Sequence, residues 1–342
     1  MFKAHKKKRL LLVAPIYFGY EREIIAELED FGFLVDWLPD RPFTYSVMRG
    51  LTTLCPLAIQ PLVDRINEKF LINFGISNYD FIVVINGQTI SERFLSELRR
   101  SFPHAKLILY MWDAFKNRKN ILSSLYLFDN VFTFDQNDAK NFGINFRPLF
   151  FSKGFHPSNK KTYKYDVSFV GTIHSDRYRV LKKFENELPH DIRYYSYKYL
   201  QAPWVYYLYK FKIAAMREAH VDEFQYSPLK KFDLYEVFLS SKAVLDIEHP
   251  NQSGLTMRTF ETLGSEKKLI TTNKNIKNYD FYNTQNICVI DRGNPKLPED
   301  FFLSDYKSLP PDIYEKYSIS GWLTELLGTC KADLISDIKK TS

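Results

Sequence analysis

Gly254, Arg258 and Glu261 share the stretch SGLTMRTFETLG, which lies between two apolar runs. If a helix opens near Leu255, the glycine sits at its N-terminus, just beyond the carboxyl end of a strand. Unpaired N–H groups and the helix dipole favour an anion there, and glycine lets the backbone approach a phosphate closely. Arg258, one turn in, can add a charge-assisted contact. Glu261 can accept hydrogen bonds from ribose hydroxyls. On spacing alone a blander outcome is commoner: Arg258 and Glu261 as an i, i+3 surface ion pair, and Gly254 as an ordinary turn.

The stretch SFVGTIHSDRYR repeats the arrangement. A strand ends at Gly171, His174 and Asp176 lie in the loop after it, and Arg177 suits a diphosphate. His174 can donate to a phosphate or stand near a reacting centre, although a lone loop histidine is more often simply solvated. Two such loops in one domain favour a nucleotide-diphosphate site. In the first half of the chain, YMWDAF puts Asp113 at the end of a buried run. There it can act as a general base or orient an acceptor, or it can cap the turn that follows. Asp135 is a weaker candidate of the same kind.

These residues need strands that end beside them, and the chain supplies two series. Short apolar runs alternate with amphipathic segments, which is the pattern of βαβ units and a parallel sheet. Strands are expected at 10–15, 34–39, 81–86, 106–113 and 130–135, then at 166–171, 192–197, 243–248, 268–272 and 286–291. Between the series, FFSKGFHPSNKKTYKYD is polar and basic and reads as a linker. The expected division is a domain over 1–152, a linker over 153–165, a domain over 166–315 and a helical tail over 316–342. In that tail a helix would bury Ile319, Trp322, Leu323 and Leu326. The fold class is α/β: two facing Rossmann-like domains with a cleft between them. Ligands in such sheets bind beyond the carboxyl ends of the strands.

Composition narrows the partners. A net charge of +7, with HKKKR as the densest basic run, is too modest to argue for nucleic acid. The run reads as a solvated tail or as a basic patch facing anionic lipid or phosphorylated substrates. Cys55, Cys288 and Cys330 are far apart and odd in number, which fits a reducing compartment better than a disulfide framework. With no secretory signal or spanning run evident, the expected location is cytoplasmic, with a peripheral contact at the inner membrane surface. Residues 199–220 are unusually aromatic and suit either a packed helical insertion or an acceptor- or membrane-facing surface. Neither GxGxxG nor a Walker loop, a GxSxG elbow, a metal-type cluster or a DxD signature is seen, so redox, P-loop, hydrolase and metal chemistry lack support.

The segments YDVSFVGTIHSDRYRVL and LDIEHPNQSGLTMRTFETLGSEKKLITTN, with YMWDAFKN and VFTFDQNDAKNFG, carry a family resemblance. They resemble GT-B glycosyltransferases, more narrowly the CgeB-type (spore-maturation-like) group and relatives from lipopolysaccharide and capsule gene clusters. The likeness covers most of residues 80–290 and is loose over the first 75. It implies transfer of a sugar from a UDP- or GDP-linked donor to a glycan or lipid-linked acceptor. It also implies an acceptor-side first domain, a donor-binding second domain, and neither a metal nor a cofactor. By the same resemblance Glu261 matches a ribose-binding glutamate, Ser253, Gly254 and Leu255 the diphosphate loop, and Arg177 a basic residue after the first strand. Retaining GT-B enzymes commonly place two glutamates eight apart, but position 253 here is Ser, so that mechanism does not carry over. Two other readings stay open: a glycerol-phosphate-type transferase on the same fold, and a non-catalytic nucleotide-binding relative.

Overall fold

In the computed structural model residues 7–41, 56–74, 78–157, 162–250 and 252–328 are described. Cys55 and Cys330 lie outside them, and Cys288 is a buried free thiol. The chain forms two compact units: Met1–Pro148 together with Ile319–Ser342, and Leu149–Ser318.

The first unit is built on a parallel sheet of β1 (Arg9–Ala14), β2 (Leu34–Pro39), β3 (Phe81–Ile85), β4 (Lys106–Met111), β5 (Asn130–Thr133) and β6 (Asn145–Phe146), in the order β2-β1-β3-β4-β5-β6. Leu10 to Ala14 are fully buried, as are most of β3 and β4. A parallel sheet covered on both faces requires such continuous apolar strands. The covering helices follow their apolar stripes. In Glu92–Ser101, Phe94, Leu95 and Leu98 face inward; the Ser91 hydroxyl accepts from the Phe94 N–H, and Arg99 and Arg100 sit in the last turn. Helix Ile319–Leu327 buries Ile319, Trp322, Leu323 and Leu326 as expected. It returns the end of the described chain to this first unit, where Trp322 meets Tyr110 edge-on at 4.8 Å. Glu325 faces the buried Arg147 at 2.9 Å.

The second unit repeats the plan with β7 (Tyr165–Thr172), β8 (Tyr194–Tyr199), β9 (Phe224–Gln225), β10 (Ser241–Asp246), β11 (Lys268–Thr271) and β12 (Ile287–Val289), in the order β12-β11-β10-β7-β8-β9. Every pairing in both sheets is parallel. The stretch read as a linker includes a turn at Lys153–Phe155, with Phe155 buried among Val170, Val237, Phe238 and Val244.

Strand order locates the ligand positions. In the second unit the chain runs from β7 outward through β8 and β9, then returns to the other side of β7 with β10. The order reverses between β7 and β10, so the loops leaving their carboxyl ends diverge and open a crevice. In the first unit the same reversal lies between β1 and β3.

Candidate functional site

The two glycine-bearing loops singled out in the sequence are the loops at the β7/β10 reversal. Gly171 is the next-to-last residue of β7. A Cβ there would lie 2.9 Å from Phe169 Cζ, 3.3 Å from Arg258 Nη1 and 3.5 Å from Arg177 Nη1. The missing side chain therefore makes room for two guanidinium groups at the end of the sheet.

Arg177 opens helix Arg177–Glu187 and is only 6% exposed. Its Nε donates to the Ile247 carbonyl at 2.8 Å and its Nη1 to the Thr172 carbonyl at 2.6 Å, while Nη2 also donates to Ile247. It clasps the loop after β7 to the loop after β10. Burial, then the neighbouring Arg258, lowers its pKa to about 10, which leaves it charged at neutral pH.

Arg258 lies on helix Met257–Gly264, whose cap is Thr256. Its guanidinium stands 5.8 Å from the Phe169 ring centre and 3.8 Å from Asp246 Oδ1. Asp246 ends β10 and is buried; its Oδ2 accepts from the hydroxyls of Thr256 at 2.6 Å and Thr259 at 2.9 Å. Arg258 Nε and Asp246 Oδ1 are both buried without a hydrogen-bond partner. Groups of this kind recur elsewhere, at Asn67 and Ser124 among others, so the Arg258 and Asp246 atoms bear on the site only through their place at the β7/β10 reversal. Glu261 is 3% exposed, so neither member of the expected surface pair is a solvated residue.

The loop before this helix is held by the segment after β11. Asn275 Nδ2 donates to the Ser253 carbonyl at 3.0 Å, and Asn273 Nδ2 to the Gly254 carbonyl at 3.3 Å. In a trans peptide the N–H points opposite to the C=O. Fixing these two carbonyls on one side turns the N–H groups of Gly254 and Leu255 to the other. Leu255 itself is buried and anchors the turn.

His174 stacks on His249 with ring centres 5.5 Å apart, and its Nδ1 lies 3.1 Å from the Ser175 hydroxyl. Burial first, then the positive charge of Arg177, pushes its pKa down to about 3. It is a neutral imidazole at physiological pH and can serve as a hydrogen-bond donor without adding charge.

Sequence reasoning missed Arg292. From the loop after β12, its Nη1 donates to Asp176 at 2.7 Å, and its Nη2 to Glu248 Oε1 and the Glu248 carbonyl, both at 2.7 Å. Nη2 also reaches the Thr272 hydroxyl at 3.3 Å. One guanidinium thus ties together the loops after β7, β10 and β11. The available signal was its position: DRGN follows a strand of the same sheet directly.

In the first unit Asp113 follows β4. Its Oδ1 accepts from the Ala114 N–H at 3.0 Å and from Asn117 Nδ2 at 2.9 Å, and its Oδ2 pairs with Arg118 at 2.8 Å. The capping arrangement is therefore present, and both oxygens are engaged. Asp135 caps helix Gln136–Phe142 through the N–H groups of Asn137 and Asp138. At the β1/β3 reversal Phe18, Gly19, Asn86 and Gly87 all take positive φ. Strained backbone of this kind gathers at ligand sites. Asp40 anchors the second of these loops, accepting from the N–H groups of Gln88 at 2.9 Å and Thr89 at 3.0 Å. Ile16, Tyr17 and Phe18 are exposed, and the Tyr17 ring lies 5.8 Å from that of Trp112.

No protein-family model and no curated protein matches the chain. Solved structures do. An alpha,alpha-trehalose 6-phosphate synthase from Burkholderia multivorans is similar over 98% of both chains, with a TM-score of 0.60 at 11% identity. HepE from Anabaena, in complex with UDP and glucose, is similar over 98% of this chain and 99% of its own, with a TM-score of 0.53 at 10% identity. The fold is GT-B. The lipopolysaccharide outer core galactosyltransferase WaaB, in its apo form, matches over 94% of this chain and 99% of its own, with a TM-score of 0.51 at 9% identity. At these identities the likeness is one of fold. It agrees with the GT-B architecture expected from the sequence: two parallel α/β units and a C-terminal helix that packs back.

Proposed function

We propose that the chain is a glycosyltransferase of the CgeB-type group. It moves a sugar from a nucleotide-diphosphate donor, UDP- or GDP-linked, to a glycan or lipid-linked acceptor of a bacterial surface polysaccharide. One observation carries this reading: at the β7/β10 reversal, the orphaned Arg258 Nε stands beside the loop that turns the N–H groups of Gly254 and Leu255 to one side. A diphosphate suits that combination of charge and donors, and a GT-B neighbour was solved with UDP.

In this proposal Ser253, Gly254, Leu255 and Arg258 hold the diphosphate, and Glu261 holds the ribose. Gly171 and Arg177 shape and charge the floor. The acceptor hydroxyl attacks the anomeric carbon, the bond from that carbon to the diphosphate oxygen breaks, and the nucleoside diphosphate leaves. Donors and positive charge already fixed in place stabilise the departing anion with little reorganisation, often the largest catalytic contribution. On this reading no metal is needed. Asp113 takes the acceptor proton, and His174 donates to the leaving phosphate. The protein works in the cytoplasm, at the inner face of the membrane that carries its acceptor.

A thermal-shift panel of UDP, GDP, CDP and ADP at millimolar concentration, followed by a transfer assay with the stabilising donor, tests the reading. UDP or GDP is expected to raise Tm by mass action, and Arg258→Ala and Glu261→Ala to reduce the shift. Unchanged turnover in Asp113→Asn would reduce that residue to a cap. A second reading is favoured by the stacked His174–His249 pair beside arginines: a transferase moving glycerol phosphate from a CDP-linked donor. Selective stabilisation by CDP, with phosphorus appearing in the product, would replace the first reading with this one.

A further inference from the structure

The aromatic segment after β8 is where the second unit turns apolar side chains outward. The inner face of helix Pro203–Lys212 is core: Val205 and Tyr206 pack with Met216, Ala219 and Phe224, and the Tyr206 hydroxyl donates to the Ala219 carbonyl at 2.9 Å. The outer face differs. Trp204 and Tyr207 are each 65% exposed, Phe211 83% and Leu208 37%. At 3.6 residues per turn these four fall within a stripe about 100° wide. Lys210 borders the stripe on one side and Lys212 on the other. Lys210 donates to the Tyr206 hydroxyl at 3.1 Å, and among the described residues no carboxylate pairs with either lysine. Residues 199–216 contain no Asp or Glu.

The helix has 10 residues, far short of the roughly 20 needed to cross a bilayer. No described helix is long and apolar enough to span one. Trp and Tyr rings favour the boundary between headgroups and acyl chains, where one edge is apolar and the other wet. Lysines on either border can extend their stems along the apolar surface and place their ammonium groups among lipid phosphates. A second copy of the chain would bring the same positive charge to the same face, which opposes self-association through it.

We infer that helix Pro203–Lys212 seats the second unit on an anionic lipid surface, with Trp204, Tyr207 and Phe211 at the headgroup boundary and Lys210 and Lys212 on lipid phosphates. The helix lies flat in that surface. This surface is independent of the donor site and of the sugar-transfer reading.

Co-sedimentation of the full chain with phosphatidylcholine vesicles, with and without phosphatidylglycerol, tests it. Binding is expected to require the anionic lipid and to weaken at high salt. Trp204→Ser with Phe211→Ser is expected to weaken it by about tenfold or more, and Lys210→Gln with Lys212→Gln by roughly thirtyfold. Tm should be unchanged in the serine variant, because Trp204 and Phe211 point outward. As a readout independent of those variants, wild-type emission should shift to the blue on mixing with anionic vesicles. That shift should be lost in Trp204→Phe, which still binds. The inference is overturned if wild type binds anionic vesicles no better than neutral ones, or if the serine variant binds as wild type does. It is equally overturned if the face instead mediates self-association that the serine variant abolishes.

Discussion

At Gly171 the absence of a side chain sets the position of two cations. Gly171→Ala would push a methyl against Phe169 Cζ, 2.9 Å away, and crowd Arg258 and Arg177. A cost of about 1–3 kcal/mol is expected from overpacking, read as a lower urea midpoint together with weaker nucleotide binding. His174 makes a pH prediction. Its pKa of about 3 in the folded chain lies below the ordinary histidine value of 6.5. The groups facing it are His249, Ser175, Arg177, Arg258 and Asp176. Between those two values the unfolded chain binds the proton and the folded chain does not, so stability falls as pH drops through that window. His174→Gln should therefore lose less Tm between neutral pH and pH ~5 than wild type does; an identical loss would show that the imidazole is not held neutral. Sequence alone placed His174 in the loop after a strand and Gly254 at a helix opening near Leu255, with Arg258 one turn in. The helix instead opens at Met257, capped by Thr256, because that hydroxyl accepts from the Thr259 N–H. Gly254 therefore lies in the loop before it and Arg258 in its first turn. Sequence could not show that Arg177 spends its donors on the carbonyls of Thr172 and Ile247, or that Arg292 reaches Glu248 44 positions away. Backbone carbonyls leave no mark in residue type, and contacts across such separations leave no periodicity.

Among the elements, the buried parallel strands were the most legible. β1, β3 and β4 are continuous apolar runs because both of their faces are covered. β6 and β9 were not legible: each is two residues long, too short for a pattern. In β8, YYSYKY is only partly buried, and its expected position fell two residues early because aromatic residues surround it on both sides. The C-terminal helix was legible as an amphipathic stripe, but its destination was not. Trp322 is fully buried against Tyr110 of β4. Trp322→Ala should cost about 3–5 kcal/mol, seen as early melting of the first unit by amide exchange. A variant that melts like wild type would show that this helix is not part of that unit's core.

For the whole molecule, alternation of strands and helices gave two parallel α/β units, and topology gave each unit one crevice. The second unit carries Arg177, Arg258 and Arg292 at the loops around its β7/β10 reversal; the first carries Asp113 and the positive-φ loops at its β1/β3 reversal. Donor binding should therefore depend on residues of Leu149–Ser318 alone. Calorimetric titration of the full chain with UDP and with GDP, in wild type and Arg258→Ala, tests this most directly. The expected result is saturable binding of one nucleotide by wild type, weakened about tenfold or more in the variant, as loss of a charge-assisted contact worth ~1.5–3 kcal/mol requires. Absence of binding by wild type, or equal binding by the variant, would contradict a diphosphate site at the β7/β10 reversal.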